Sequence, residues 1–434
     1  MRKVLLRRNQ YISPFNEPAR DLRILNKPLW LHQRDLLARY TTSEREVGSG
    51  QFADLPDDAV EQLILADNLF FDESYFEAFI KAAIASGKPC RAAFTRQDRA
   101  FWEHAYPLTM GFTAHPSQPD LYWADLWYFP AAVAPSSTVS PEAIVIDSIA
   151  REIGYYWVPT YMAVEQGDLI FQVPLRGLLS IESWVHIFIA DSVYGVFARG
   201  AQIEARLERD WRFTVRVFWR SLLELRQVLN CSELVKIGRG CTIDPTAIIH
   251  GPTSIGDNVT IGAGVVIDNC IIGNNVNVSN GCNLQLSVIG DGCFLPFRAA
   301  LWLTTLMENS MVAQNTCLQM CVVGRNTFIG AGNTFTDYNL LPVPIRALDG
   351  AAKLAQANRE VLGGCVGHNC RIGSGMVVFP SRTIESDCVL FASEQRRIIR
   401  QNVTYEESDH HATSAAHLHQ RLYPRQGEIT EASW

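Results

Sequence analysis

A branched aliphatic residue returns at every sixth position from Ile237 to Ile267, and this period constrains the fold more than any other feature of the chain. The unbroken run is Ile237, Ile243, Ile249, Ile255, Ile261 and Ile267. Val366, Ile372, Val378, Ile384 and Leu390 repeat it, and Val323, Ile329 and Phe335 lie between. Hexapeptide periodicity is the mark of a parallel β-helix, whose stacked coils bury one continuous apolar column. Strand spacing makes each coil add about 4.8 Å of length. A buried, mostly small residue is expected four positions after each anchor, as at Cys241, Ala247, Val259, Val265, Cys370 and Cys388. Gly often follows the anchor directly (Gly238, Gly256, Gly273, Gly324), where a tight corner is its expected use.

The phase shifts by one residue at Ile267 to Ile272 and at Leu284 to Ile289, and a larger irregularity covers Leu301 to Met311. The main interruption is an insertion over 338–364, rich in Pro, Ala, Lys and Arg. Insertions project from one face of a solenoid and often carry function.

A chain of 434 residues predicts two or three domains. Residues 1–142 read as an α/β domain. Leu63 to Asp67 is a buried strand, and Asp72 caps a helix with the apolar stripe Tyr75, Phe76, Phe79, Ile80 and Ala83. Gly87 stops that helix before a strand at Cys90. Residues 143–233 read as a mixed, largely helical connector, with helices near 181–198 and 202–229. Arg212, Arg216 and Arg220 share one face of the second helix; a phosphate-binding stripe is one reading, and a solvated face paired with Glu204, Glu208 and Asp210 is the favoured one. The β-helix takes 234–393, and 394–434 is a polar tail expected to be mobile.

A net charge of −7 argues against nucleic acid as a general partner. The segment MRKVLLRRNQ is too short and too charged for a signal peptide, which favours a cytoplasmic protein. Trp184 to Ala198 is the most apolar stretch, yet too short to span a bilayer, so no stable membrane insertion is expected. Peripheral attachment through it requires an exposed stripe. The eleven cysteines fall mainly in small core slots and are expected to be reduced thiols without a metal.

The order of these regions resembles the bifunctional N-acetylglucosamine-1-phosphate uridylyltransferase/glucosamine-1-phosphate acetyltransferase family and its divergent sugar nucleotidyltransferase-like relatives. The resemblance implies a degenerate nucleotidyltransferase-like head followed by a left-handed β-helix, assembled as a homotrimer. Pro18-Ala-Arg-Asp-Leu-Arg-Ile-Leu-Asn-Lys-Pro-Leu29 resembles the family's Lys-Pro-Leu segment and implies that Lys27 meets nucleotide phosphates. Leu65-Ala-Asp-Asn68 resembles the Gly-Asp-Asn strand end and implies Asp67 as a ligand of Mg2+. Val323 to Asn339, containing Ile329-Gly-Ala-Gly332, resembles the stretch lining the sugar-phosphate and acetyl-coenzyme A site. It implies Asp337, Tyr338 and Asn339 as binding residues, with Arg346, Lys353 and Arg359 able to meet an acyl-CoA phosphate.

Two departures accompany the resemblance. The phosphate-cradling loop has no Gly here: Leu5-Leu-Arg-Arg-Asn-Gln10 follows the first strand, and Gly48 is the first glycine. The segment Phe294 to Leu301 holds no His, so the candidate general base becomes His368, with His250 the weaker choice. Two functions are therefore expected. One is a sugar nucleotidyltransferase/acyltransferase-like protein acting on a sugar phosphate or nucleotide sugar. The other is a non-catalytic trimeric scaffold with degenerate sites.

Overall fold

The computed structural model describes residues 1–48, 54, 55, 58, 60–131, 133–135, 139–158, 167–341 and 343–428. Met1–Ile12, Pro18–His186 and Leu348–Ala355 form one compact unit; Ser13–Glu17, Ile187–Ala347 and Gln356–Trp434 form a second.

In the first unit a sheet runs in the order Glu142–Val145, Cys90–Thr95, Leu121–Phe129, Gln62–Ala66, Arg2–Leu6, Ser43–Val47. Leu121–Phe129 is antiparallel to both neighbours, and the remaining pairs are parallel. Asp72 accepts the Tyr75 N–H at 2.7 Å and starts the helix Glu73–Ser86, which Gly87 ends in the left-handed region. The stripe Tyr75, Phe76, Phe79, Ile80 and Ala83 is buried, as the sequence pattern requires. Much of the expected connector belongs to this unit. Arg151–Val158 pairs with Gly167–Val173, and Leu178–Ser180 pairs with Leu69–Phe71.

The second unit is a left-handed parallel β-helix of three eight-stranded sheets. Its core is the predicted column, from Ile255 through Leu284, Leu318 and Phe335 to Leu390. The phase breaks obey one rule. Ile255 pairs with Ile272, Ile272 with Ile289, Ile289 with Leu306 and Leu306 with Val323. Hydrogen bonds between these successive coils span 17 residues, against 18 at the start of the solenoid. One side of each coil is therefore one residue short, always at the same corner. Leu301, Leu306 and Val312 stay in the column, so Leu301 to Met311 is no irregularity.

The left-handed corners do not fall on the glycines that follow the anchors. Positive φ occurs three positions after them, at Gly240, Asn258, Asn275, Gly292, Asn309, Asn326, Asn369 and Asp387. Asn and Asp tolerate that conformation because their short side chains bond locally. Gly256 serves close approach instead, since a Cβ there would lie 2.7 Å from the Gly273 backbone on the next coil.

The stretch Trp184 to Phe197 is buried, and the Asp191 carboxylate accepts the Thr305 hydroxyl at 2.8 Å. That burial corrects the peripheral-attachment reading of this segment. The second predicted helix breaks at Asp210, whose carboxylate accepts the N–H groups of Arg212 and Phe213 and restarts the chain as Trp211–Glu224. Arg212, Arg216 and Arg220 are exposed, as expected of a solvated face. No helix among the described residues is long and apolar enough to cross a membrane.

The expected mobile tail is corrected too. Ile398–Ile399 adds a strand to the third sheet, and Ile399 and Val403 extend the column. Further on, the Arg425 guanidinium donates to Glu385 at 2.6 Å and the Tyr423 N–H to Asp387 at 2.7 Å. Residues 394–428 are held on the last coils by charge as well as packing. The cysteines among the described residues are free. The thiols of Cys282 and Cys293 reach carbonyls of the next coil at 3.4 and 3.1 Å. Burial pushes Cys293 up to about 12, which leaves an inert thiol.

Buried histidines give this unit an acid-sensitive edge. Burial lowers His368 and His419, and burial with the charges of His411 and His419 brings His410 down to about 4. An unfolded His titrates near 6.5. The unfolded chain thus binds these protons more readily, and stability falls as pH drops below about 6.5. The thermal midpoint is expected to fall from about pH 7 to about pH 5, and to fall less in His410→Gln. A midpoint that is flat or rises on acidification would contradict this.

Candidate functional site

The first unit gathers charges where its parallel strands end. Asp67 follows the strand Gln62–Ala66, is 4% exposed, and accepts the Arg8 N–H at 3.1 Å. Its other carboxylate oxygen faces the Arg20 guanidinium at 3.8 Å. Arg20 also pairs with Glu46 at 3.4 Å, and Glu46 accepts Arg7 Nε at 2.8 Å. The Arg8 side chain pairs with Asp125, which also accepts Arg91 at 2.8 Å. The result is one chain of contacts: Arg7, Glu46, Arg20, Asp67, Arg8, Asp125, Arg91. Arg20 also lies 3.8 Å from the Asp21 carboxylate, so four guanidinium groups face four carboxylates. Burial raises the Asp67 carboxyl against the pull of the Arg8 N–H and of Arg20. Burial, then the Arg8 charge, brings Arg91 to about 10.

This place fits the rule that open α/β sheets bind ligands beyond the carboxyl ends of their strands. Its carboxylates, however, are already engaged by guanidinium and N–H donors. Magnesium demands an octahedron of oxygens, usually one or two carboxylates with phosphates and water. Both oxygens of Asp67 are turned to cationic or N–H donors, and no group of three or more metal-binding side chains occurs among the described residues. Asp67 therefore does not fit as a Mg2+ ligand. Lys27 lies outside the network and pairs with Asp35 at 3.0 Å. The sequence reading missed Arg7, Arg8 and Arg20, although two basic residues directly after a buried strand were the available signal.

In the β-helix, His368 is fully enclosed at 0% exposure. Its Nδ1 accepts the Arg325 N–H at 2.9 Å, which leaves the proton on Nε2, 3.5 Å from the Glu17 carboxylate. Phe15 and Tyr423 cover the ring, with centroids at 4.9 and 4.7 Å. Burial alone would raise Glu17, but the bond to His368 and the charges of His368 and Arg325 hold it below the usual carboxylate range. A general base must reach its substrate's proton. At 0% exposure His368 presents no nitrogen to a substrate, so the candidate base is corrected to a residue that fastens a turn. His250 pairs with Asp268 at 3.6 Å on the second coil.

Asp337, Tyr338 and Asn339 stand together where the insertion leaves the solenoid. Asp337 is buried, its Oδ2 lacks a hydrogen-bond partner among the described residues, and burial raises its carboxyl. Tyr338 bridges Val361, and Asn339 Nδ2 donates to the Val343 carbonyl at 2.8 Å. Arg346 is exposed in the same unit, while Lys353 belongs to the first unit. Arg359 lies over the Phe188 ring at 5.7 Å. Tyr338 and Asn339 are half-buried, and the sealed His368 supplies no base for acyl transfer.

The hexapeptide solenoid is the part of the chain that matches a family model. Residues 234–269 match the family model described as bacterial transferase hexapeptide (six repeats). Parts of the chain are similar to bifunctional GlmU proteins. It is 25% identical over 167 residues to that of Ruthia magnifica, covering 34% of this chain and 37% of that protein. The bifunctional protein GlmU of Heliobacterium modesticaldum is 26% identical over 252 residues, covering 53% of this chain and 52% of the relative. That of Clostridium acetobutylicum is 31% identical over 140 residues, 30% and 29% of the two chains. The matches thus span between 29% and 52% of these relatives' length.

Proposed function

We propose that this chain is a sugar nucleotidyltransferase/acyltransferase-like protein whose α/β unit recognises the phosphates of a nucleotide sugar or sugar phosphate. The observation that carries the reading is the cluster of guanidinium groups around Asp67, at the strand ends where such sheets bind ligands. Planar guanidinium forks suit phosphate oxygens, and Arg7 and Arg8 keep a third or more of their side chains exposed. Recognition then proceeds by exchange, with phosphate oxygens replacing Glu46 and Asp125 on these arginines. The protein works as a cytoplasmic homotrimer in this reading.

A second reading has its own support. Arg8 occupies the loop where a Gly-rich turn would admit a triphosphate, and its side chain is already paired with Asp125. With His368 sealed, that favours a non-catalytic trimeric scaffold. A thermal-shift panel of a uridine-diphosphate sugar, a sugar 1-phosphate and coenzyme A separates the two. A ligand of the native state adds about 2.7 kcal/mol at a hundred times its Kd. A shift with the phosphorylated sugars that is lost in Arg7→Ala/Arg8→Ala supports recognition. Silence with all three supports the scaffold.

A further inference from the structure

The helix Trp211–Glu224 presents two different apolar faces. Phe213, Val217 and Ser221 pack inward. On the opposite face Trp211 is 69% exposed and Trp219 61%, with Val215, Phe218, Leu222 and Leu223 beside them. Leu225, directly after the helix, is 93% exposed. Residues 211, 215, 218, 219 and 222 follow helical spacing, so they form one continuous stripe rather than scattered exposures. A depression of about 480 Å³ beside it is lined by both apolar and polar residues, among them Leu225, Ile243, Ile249, Asn230 and Asp244.

Charge distinguishes this stripe from an ordinary sticky patch. Arg212, Arg216 and Arg220 recur every fourth residue along one flank, and Arg209 and Arg226 stand at its two ends. Asp210 and Glu224 are the acidic residues between those ends, within a chain of net charge −7. Asp210 is spent on capping the helix. Arg220 lies 3.9 Å from the Glu233 carboxylate and also faces the charge of Glu224.

We propose that this helix docks the protein on the surface of an anionic lipid bilayer. Tryptophan, phenylalanine and leucine on one face with arginines flanking it is the composition of a helix lying in the membrane interface. Indole rings settle at headgroup depth, and juxtamembrane arginines are attracted by anionic lipid. Because the inward face is already packed, the outward stripe is presented without further folding. The buried stretch Trp184 to Phe197 plays no part in it.

The test is flotation of the full chain with vesicles of phosphatidylcholine alone and of equal parts phosphatidylcholine and phosphatidylglycerol. Binding is expected with the anionic vesicles, weakened by salt, with a blue shift of tryptophan fluorescence. Trp219→Glu/Leu222→Glu changes only exposed positions and is expected to reduce bound protein about tenfold or more at an unchanged melting temperature. Arg212→Glu/Arg216→Glu is expected to reduce it with the stripe intact. Protein that stays with the soluble fraction overturns the proposal, as does binding that survives both variants. A fall in the oligomer mass of Trp219→Glu/Leu222→Glu, without any vesicle binding by the unmodified chain, would assign the face to a second copy instead.

Discussion

Replacing Phe335 by Ala is expected to lower the stability of the β-helix by about 3–5 kcal/mol. Phe335 is 1% exposed and is the aromatic member of a column otherwise built from aliphatic residues, Cys and Met. It pairs with Val378 on the following coil, across the chain's return from the insertion. Its ring also lies against Gly364, where a Cβ would come within 3.0 Å of Phe335 Cδ1. Removing the ring leaves a cavity between two coils that β-sheet hydrogen bonds hold at fixed spacing, so collapse is limited. Denaturant unfolding followed by circular dichroism measures the loss. A change under about 1 kcal/mol would mean that the column is not closely packed there.

Gly363→Ala is expected to destabilise by about 3 kcal/mol or more, at the upper end for overpacking. A Cβ at Gly363 would stand 2.0 Å from the Gln319 carbonyl oxygen, 2.7 Å from Cys321 Sγ and 2.8 Å from the Met320 carbonyl oxygen. Two of those atoms are backbone and cannot rotate away. The Gly363 N–H also donates to Met320 at 3.2 Å, which fixes where the chain resumes its coil. Gly48→Ala is the control, since its added Cβ meets nothing within 4 Å. Comparable melting temperatures for the two variants would contradict the tight return at Gly363.

The apolar column was legible because its signal lies at fixed intervals along the chain, and burial of Ile267, Leu284 and Leu318 enforces those intervals. The corners were less legible. Asn258, Asn275 and Asn326 read as ordinary polar residues until their positive φ places them in register with Gly240 and Gly292. Leu301 to Met311 looked irregular because a six-residue ruler was laid over coils with one five-residue side. The helix stripe at Tyr75 to Ala83 was readable from its own cap and stop.

The charge network was not readable in the same way. Arg7, Arg20, Glu46, Asp67, Arg91 and Asp125 come from separate elements, and only sheet order brings them together. The burial of His368 was hidden for a similar reason. Ser13–Glu17 and Tyr423 cover it from opposite ends of the sequence. The outward face of Trp211–Glu224 has a helical period, but the period alone does not tell which apolar face is packed. Phe213 and Val217 proved to be the inner ones.

The most direct test of the phosphate-recognition reading is calorimetric titration of a uridine-diphosphate sugar into the full chain, with and without a metal chelator. The reading predicts saturable heat under both conditions and about tenfold weaker binding in Arg7→Ala/Arg8→Ala, with circular dichroism confirming that the variant is folded at the titration temperature. Absence of heat at millimolar ligand, or equal binding by that variant, would contradict it.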